Sequence, residues 1–327
     1  MADDIETNSQ DLSFFKIGGI APTAFPYNST AYANPTIVLP LAGITMVAFV
    51  ANAALAGYIF FHKLYHNFIS SHFIAHLCLT NMFGLGILVP MFLTNLWLGT
   101  NFWANTNLVC RLQTFLMCSE WTVIYFMTLC IAGVHLLTFA RIHYNQMFCL
   151  LPTHLCILSW IVAFAISLPC VTNSHIVLYD PALRHCVWGS TDYSYKYLTY
   201  LLILCVFLPS MLFYYAYIKV LKILYHSPIV FQSIGLYKSR FLVYAFLLGP
   251  LFQVPFFFVT MSGTWRFEPN SLTPILSMFL AYAPSLMSPV LYGLSLVQMK
   301  EEDMALTARA QKNINSYHQV HTPGQNL

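Results

Sequence analysis

The sequence predicts an all-α fold, a bundle of seven membrane-spanning helices in one domain, and three observations carry that expectation. Only 8% of the 327 residues are Asp, Glu, Lys or Arg, whereas 58% are hydrophobic. The apolar residues fall in seven blocks of helical length. The connections between blocks are short, with no internal repeat and no low-complexity stretch. A water-soluble domain carries about 25% charged residues because its surface has to be wetted. A chain so far below that level presents most of its surface to lipid.

A helix crosses a bilayer core with about 20 mostly apolar residues. The blocks at 36–62, 71–97, 107–141, 150–171, 195–226, 236–261 and 271–297 meet that length. The third and fifth outrun the bilayer, so tilt or projection beyond it is expected. Residues 1–35 then form an extracellular N-terminal tail, 36–297 the seven-helix domain, and 298–327 a cytoplasmic tail. The first thirty residues are polar and acidic, without a basic start and an apolar core, so insertion is expected to rely on the first helix.

Orientation follows from Lys and Arg near the helix ends, which favour the cytosol. With the N-terminus outside, Lys63, Arg141, Lys219, Lys222, Lys238, Arg240, Lys300, Arg309 and Lys312 are cytosolic. Lys16, Arg111, Arg184, Lys196 and Arg266 are then external. Nine against five predicts a multi-pass protein with its N-terminus outside the plasma membrane. Asn28-Ser29-Thr30 is a glycosylation sequon on that same side.

Landmarks within the blocks narrow the class. The first helix carries Asn52 within Ala51-Asn52-Ala53-Ala54-Leu55, and the second Leu77-Cys78-Leu79-Thr80-Asn81. Trp103 precedes Cys110 by seven residues at the start of the third. Trp160 and Pro169 mark the fourth, and Pro209 with Tyr217 the fifth. Phe252-Gln253-Val254-Pro255 lies in the sixth, and Ser288-Pro289-Val290-Leu291-Tyr292 ends the seventh. One such landmark per helix, in order, resembles the rhodopsin-like G-protein-coupled receptors over about residues 40–305. A short amphipathic segment follows, in the place of that family's eighth helix.

The resemblance implies a disulfide between Cys110 and Cys186 that pins the second outer loop over the mouth of the bundle. Cys78, Cys118, Cys130, Cys156 and Cys205 lie inside helices, where small packing residues are expected. No cysteine follows Cys205, so the family's palmitoylated tail has no counterpart. The ligand pocket implied is Met117, Glu120, Trp121, Phe252, Gln253 and Tyr282. The alternative for its aromatic and Met members is ordinary core packing at helical spacing. Met117 stands where amine receptors carry an acid, and Tyr282 where opsins carry their retinal-binding lysine. Gln253 takes the place of the family's toggle tryptophan.

Glu120 is an acid deep within an apolar helix, where ionisable groups are costly and mark function. Either it joins Asn52, Asn81, Ser119 and Ser288 in one polar or ion-holding cluster, or it is a neutral acid hydrogen-bonded to neighbouring helices. The family's Asp-Arg-Tyr triplet aligns with Val134-His135-Leu136, which removes the arginine that reaches the G protein. Imidazole offers no fork of donors. The helix-six acid of the family's resting lock is also missing, with Gly235, Lys238 and Arg240 nearby. Tyr217, Pro255 and Tyr292 complete the implied switch.

The function implied is a receptor for an extracellular ligand, a small organic molecule or a peptide end, that signals to heterotrimeric G proteins. A receptor-fold protein with little coupling, acting as a decoy or partner-binding module, is the alternative that Val134-His135-Leu136 supports. A transporter or channel is disfavoured by the lack of internal repeats and the scarcity of buried charge. His175, Arg184 and His185 in the second outer loop could meet an acidic ligand group, or are simply solvated loop. His, Cys and carboxylate residues are scattered, without the mutual reach of a catalytic set. No cofactor is expected, and the nine cysteines show no Cys-x-x-Cys metal spacing. The net charge of +3 gives no ground for a nucleic-acid partner.

Overall fold

A computed structural model describes residues 35–99, 107–140, 142, 144, 150–180, 182–189, 191–226, 235–262, 271–298 and 300. Seven of its helices are long and apolar enough to cross a membrane: α1 (Pro35–Phe61), α2 (Ile69–Leu98), α3 (Leu108–Ala140), α4 (Pro152–Thr172), α5 (Asp192–Tyr225), α6 (Leu242–Ser262) and α7 (Leu272–Gln298). They coincide with the predicted blocks and differ only at the ends. Helical geometry ahead of α6 already begins at Gly235. The chain is therefore an all-α, multi-pass membrane protein. Asn28, Trp103 and the proposed eighth helix lie outside the described residues.

Helices are the outcome because lipid offers no partner for a free N–H or C=O, and a helix satisfies each within itself. The surface differs from that of a soluble protein in exposing large apolar side chains. Val47, Phe61 and Phe258 are 71%, 87% and 69% exposed, whereas Asn52, Asn81 and Glu120 are fully buried. Apolar side chains fill both the core and the lipid-facing surface, and amides, hydroxyls and one carboxyl are held inside. The third helix is the hub, packed against α2, α4 and α5.

Three departures from regular α-helix follow prolines. Proline lacks an N–H, and its ring clashes with the carbonyl four residues back. The turns before Pro90 and Pro209 widen into π-helix, at Gly84–Leu88 in α2 and Leu202–Phe207 in α5. In α6, Pro250 lies within a tightened 3-10 segment, Gly249–Gln253, and Pro255 stands two residues beyond it. These sites set where the bundle bends.

Between α4 and α5 the chain forms a β-hairpin that the all-α expectation lacks. Strands β1 (Val177–Asp180) and β2 (His185–Trp188) pair antiparallel, Tyr179 opposite Cys186 and Asp180 opposite His185. The Asp180 carboxylate accepts from the N–H groups of Ala182 (2.8 Å) and Leu183 (3.1 Å), and Arg184 adopts the left-handed conformation with φ 54°. The hairpin closes one end of the bundle, here the mouth. The base is the end where α3 and α5 finish.

Candidate functional site

At the mouth, Cys110 of α3 is bonded to Cys186 of β2, with their Cα atoms 5.4 Å apart. Thr114, one turn along α3, donates to the Cys186 carbonyl at 2.8 Å, so the strand is fixed to the helix twice. Arg184 and His185 are fully buried, while His175 is exposed. The solvated-loop reading therefore fails for two of the three. Arg184 donates to the Gly99 carbonyl (2.9 Å), and Asn95 donates to the Arg184 carbonyl (3.2 Å), clasping the hairpin to the end of α2. His185 Nδ1 lies 2.9 Å from the Cys186 carbonyl and Nε2 3.2 Å from the Gln113 amide nitrogen. Burial in this plug pushes the His185 imidazole down to about 4, against a reference near 6.5.

Below the plug lies an aromatic cluster centred on Trp121. Its ring meets Phe256 at 5.1 Å, Tyr282 at 5.8 Å and Phe257 at 6.0 Å between centroids, all close to edge-on. Trp188 of β2 reaches down to Phe256 at 6.3 Å. Met117 is fully buried on α3, four residues toward the mouth. Gln253 is buried and donates to the Ala281 carbonyl of α7 at 3.2 Å. Phe252 is only half-buried, and Phe256, one turn on, takes the inward place. Phe256 and Trp188 escaped the sequence reading. Trp188 shares the face of Cys186 by the period of two, which shows only once the strand is known. Phe256 had no signal among so many aromatic residues.

The polar residues divide into two groups. Asn81 donates to the Asn52 side-chain oxygen (3.0 Å) and to the Ser288 hydroxyl (2.6 Å). Asn52 donates to the carbonyls of Ala48 (2.9 Å) and Ser285 (3.0 Å). Together they lace α1, α2 and α7. Ser119 instead donates to its own helix at Phe115, 2.8 Å. Glu120 is fully buried, and neither of its carboxyl oxygens has a hydrogen-bond partner among the described residues. The carboxyl occupies the notch left by Gly84 in the widened turn of α2, where any Cβ would coincide with it. Glu120 is thus bonded neither to the amide cluster nor to side chains of neighbouring helices among the described residues. The widened turn offers a cradle without a donor.

At the base, His135 is 5% exposed and its Nδ1 lies 3.2 Å from the Tyr217 hydroxyl of α5. The ring of Phe246 is stacked between two tyrosines, Tyr217 at 5.3 Å and Tyr292 at 4.9 Å, with interplanar angles of 23° each. One column of rings thus joins α3, α5, α6 and α7. Pro255 lies on the exposed face of α6, so its contribution is to the backbone bend and not to this contact. The side chains of Gly235, Lys238 and Arg240 lie outside what the structure describes.

Compared with family models and with curated proteins, the chain matches none.

Proposed function

We propose that the chain is a cell-surface receptor of the rhodopsin-like type, binding an extracellular ligand at the mouth and signalling at the base to heterotrimeric G proteins. The supporting observation is the column His135–Tyr217–Phe246–Tyr292, which gathers four helices at the end opposite the disulfide. A receptor needs an element with two arrangements whose balance the ligand shifts. Phe246 supplies one, since leaving its slot lets the two tyrosines approach each other. The path to it runs from Trp188 through Phe256 and Trp121 to Tyr282 on α7, and from there across the Gln253–Ala281 bond to the 3-10 segment of α6. A small organic ligand or peptide end seated among these rings displaces them and turns α6 at its weakest point.

A second reading, a receptor-fold protein that does not couple, rests on His135. Its imidazole is buried and bonded inward, whereas a bidentate arginine would give a partner stronger, charge-assisted bonds. GTP exchange by purified G proteins on the chain in lipid vesicles separates the two. Coupling predicts low basal exchange that rises in His135→Arg, and most when Val134→Asp is added. Absence of exchange in both the unmodified chain and these variants overturns the receptor reading in favour of the silent one.

A further inference from the structure

The sulfurs of Cys118 on α3 and Cys170 on α4 lie 4.0 Å apart, and both residues are buried. We propose that these two thiols are an oxidisable pair that closes to a second disulfide between α3 and α4. The oxidant is glutathione disulfide or the exchangeable disulfide of an oxidoreductase. Three observations point there.

The first is contact. A disulfide bond is about 2.05 Å long, so the two sulfurs have only about 2 Å left to close. Cys156, by contrast, meets the Met127 thioether at 3.9 Å, a sulfur with no hydrogen to lose. The second is the side of the membrane. Cys118 lies eight residues from Cys110, about 12 Å along α3, and Cys170 lies in the last turn of α4 before the hairpin. Both are toward the mouth, where the Cys110–Cys186 bridge marks the oxidising side.

The third is freedom to move. The regular part of α4 ends at Ser167, and after Leu168 the chain makes one separate turn, Pro169–Thr172, packed on α3. Pro169 has no N–H with which to tie that turn to the helix before it. A shift of the turn brings Cys170 onto Cys118. Exchange takes place as the chain folds, before the plug covers the pair, because thiols buried in a finished fold are inert. The Cys170 thiol loses its proton, and its thiolate attacks one sulfur of the oxidant, whose other sulfur leaves as a thiolate. The Cys118 thiolate then attacks the Cys170 sulfur of this mixed disulfide and displaces the oxidant's remaining sulfur. The chain gives up two protons and two electrons, and the oxidant takes up both to become two thiols. The new bridge ties Cys170 to α3 as the first ties Cys186, so the hairpin between them is held to one helix at both ends. None of this depends on whether the chain signals.

The test is cell-free synthesis of the full chain into lipid nanodiscs, with oxidised glutathione stepped and reduced glutathione held constant. Free thiols are alkylated in detergent at the end, and linked peptides are mapped by mass spectrometry. Only chain in which Cys110–Cys186 has formed is counted, so the fold and the oxidising power are controlled within each sample. A Cys118–Cys170 peptide pair, lighter by two hydrogens than the two thiols, is expected beside that bridge. The ratio of bridged to open chain is expected to rise about tenfold for each tenfold rise in oxidised glutathione, as a two-electron exchange requires. In Cys118→Ser, Cys170 is expected to go no further than the mixed disulfide with glutathione. If that variant does not fold, Cys170→Ser, in which Cys118 has to stay unbridged, takes its place. Alkylated thiols at both positions at every ratio overturn the proposal. So does a mixed disulfide on Cys170 that never resolves in the unmodified chain, or either cysteine bonded to another partner such as Cys205.

Discussion

His135 Nδ1 and the Tyr217 hydroxyl lie 3.2 Å apart, joining the base of α3 to α5 at the position where the resemblance places an arginine. Either atom can be the donor, according to the imidazole tautomer. Both residues are buried, so removing one partner leaves the other unsatisfied, at about 1–3 kcal/mol. Tyr217→Phe and His135→Phe are each expected to lower stability by about that much, because Phe keeps the ring column. The double variant is expected to lose less than the sum, by about 1 kcal/mol, as contacting pairs do. Unfolding of the four proteins in nanodiscs measures the coupling, and strict additivity counts against the bond.

The disulfide anchors a plug rather than a loose loop. Cys110→Ala or Cys186→Ala frees the strand that carries the buried His185 and Trp188 and follows Arg184. Loss of a native disulfide typically costs about 2–5 kcal/mol in small secreted domains. The variants are expected to unfold at markedly lower temperature and to reach the cell surface poorly. Mass mapping of the unmodified protein is expected to find both thiols bonded, and two free thiols would contradict the pairing.

Gly84 and Glu120 are a matched pair, one supplying the space that the other fills. Gly84→Ala forces the Glu120 carboxyl out of its notch, and overpacking of a closed interior costs about 1–3 kcal/mol. Glu120→Ala vacates the space, so the double variant Gly84→Ala, Glu120→Ala is expected to be more stable than Gly84→Ala alone. Unfolding temperatures of the three variants decide it. A double variant no better than Gly84→Ala places the carboxyl elsewhere.

The orientation argued from Lys and Arg has its own test. Asn28 is expected to carry a glycan, and Lys222 and Lys238 to react with impermeant amine reagents only after the cell membrane is opened. Labelling of either lysine on intact cells reverses the topology and removes the receptor reading with it.

Much of the fold was legible because a bilayer permits so little else: an apolar block of sufficient length has to be a helix. The amide cluster was legible for the related reason that Asn52 and Asn81, set in apolar helices, have to find partners, and they find each other. The hairpin was not. Its second strand is buried at all four positions, so it lacks the polar-apolar alternation that marks a half-buried strand. The surroundings of Glu120 were not legible either. They depend on a glycine in another helix and on a widened turn caused by Pro90, neither of which is signalled near Glu120 itself. By resemblance, His135 stands in place of an arginine. Its bond to Tyr217 shows only once α3 and α5 are side by side.

The plug at the mouth is expected to weaken in acid, and His185 is the group responsible. It lies outside the membrane-spanning segments, with Nδ1 against the Cys186 carbonyl and Nε2 against the Gln113 amide. Burial holds its imidazole down to about 4, with the carbonyl contact opposing only in part. The unfolded chain takes up the proton near the reference of about 6.5, the folded chain only near 4. Between those values the unfolded state binds more protons, so stability is fully present above about 6.5 and falls as pH drops toward 4. The loss from this one group amounts to about 3 kcal/mol. Chemically, a second proton requires Nε2 to become a donor, which its present amide-nitrogen neighbour cannot accept unless the Gln113 side chain turns over. The informative quantity is a difference between two proteins. Unfolding free energies of the unmodified chain and of His185→Gln, compared from about pH 7 to about pH 4.5, are expected to converge as the pH falls. Parallel curves would mean that His185 is already open to water and that the hairpin does not seal the mouth.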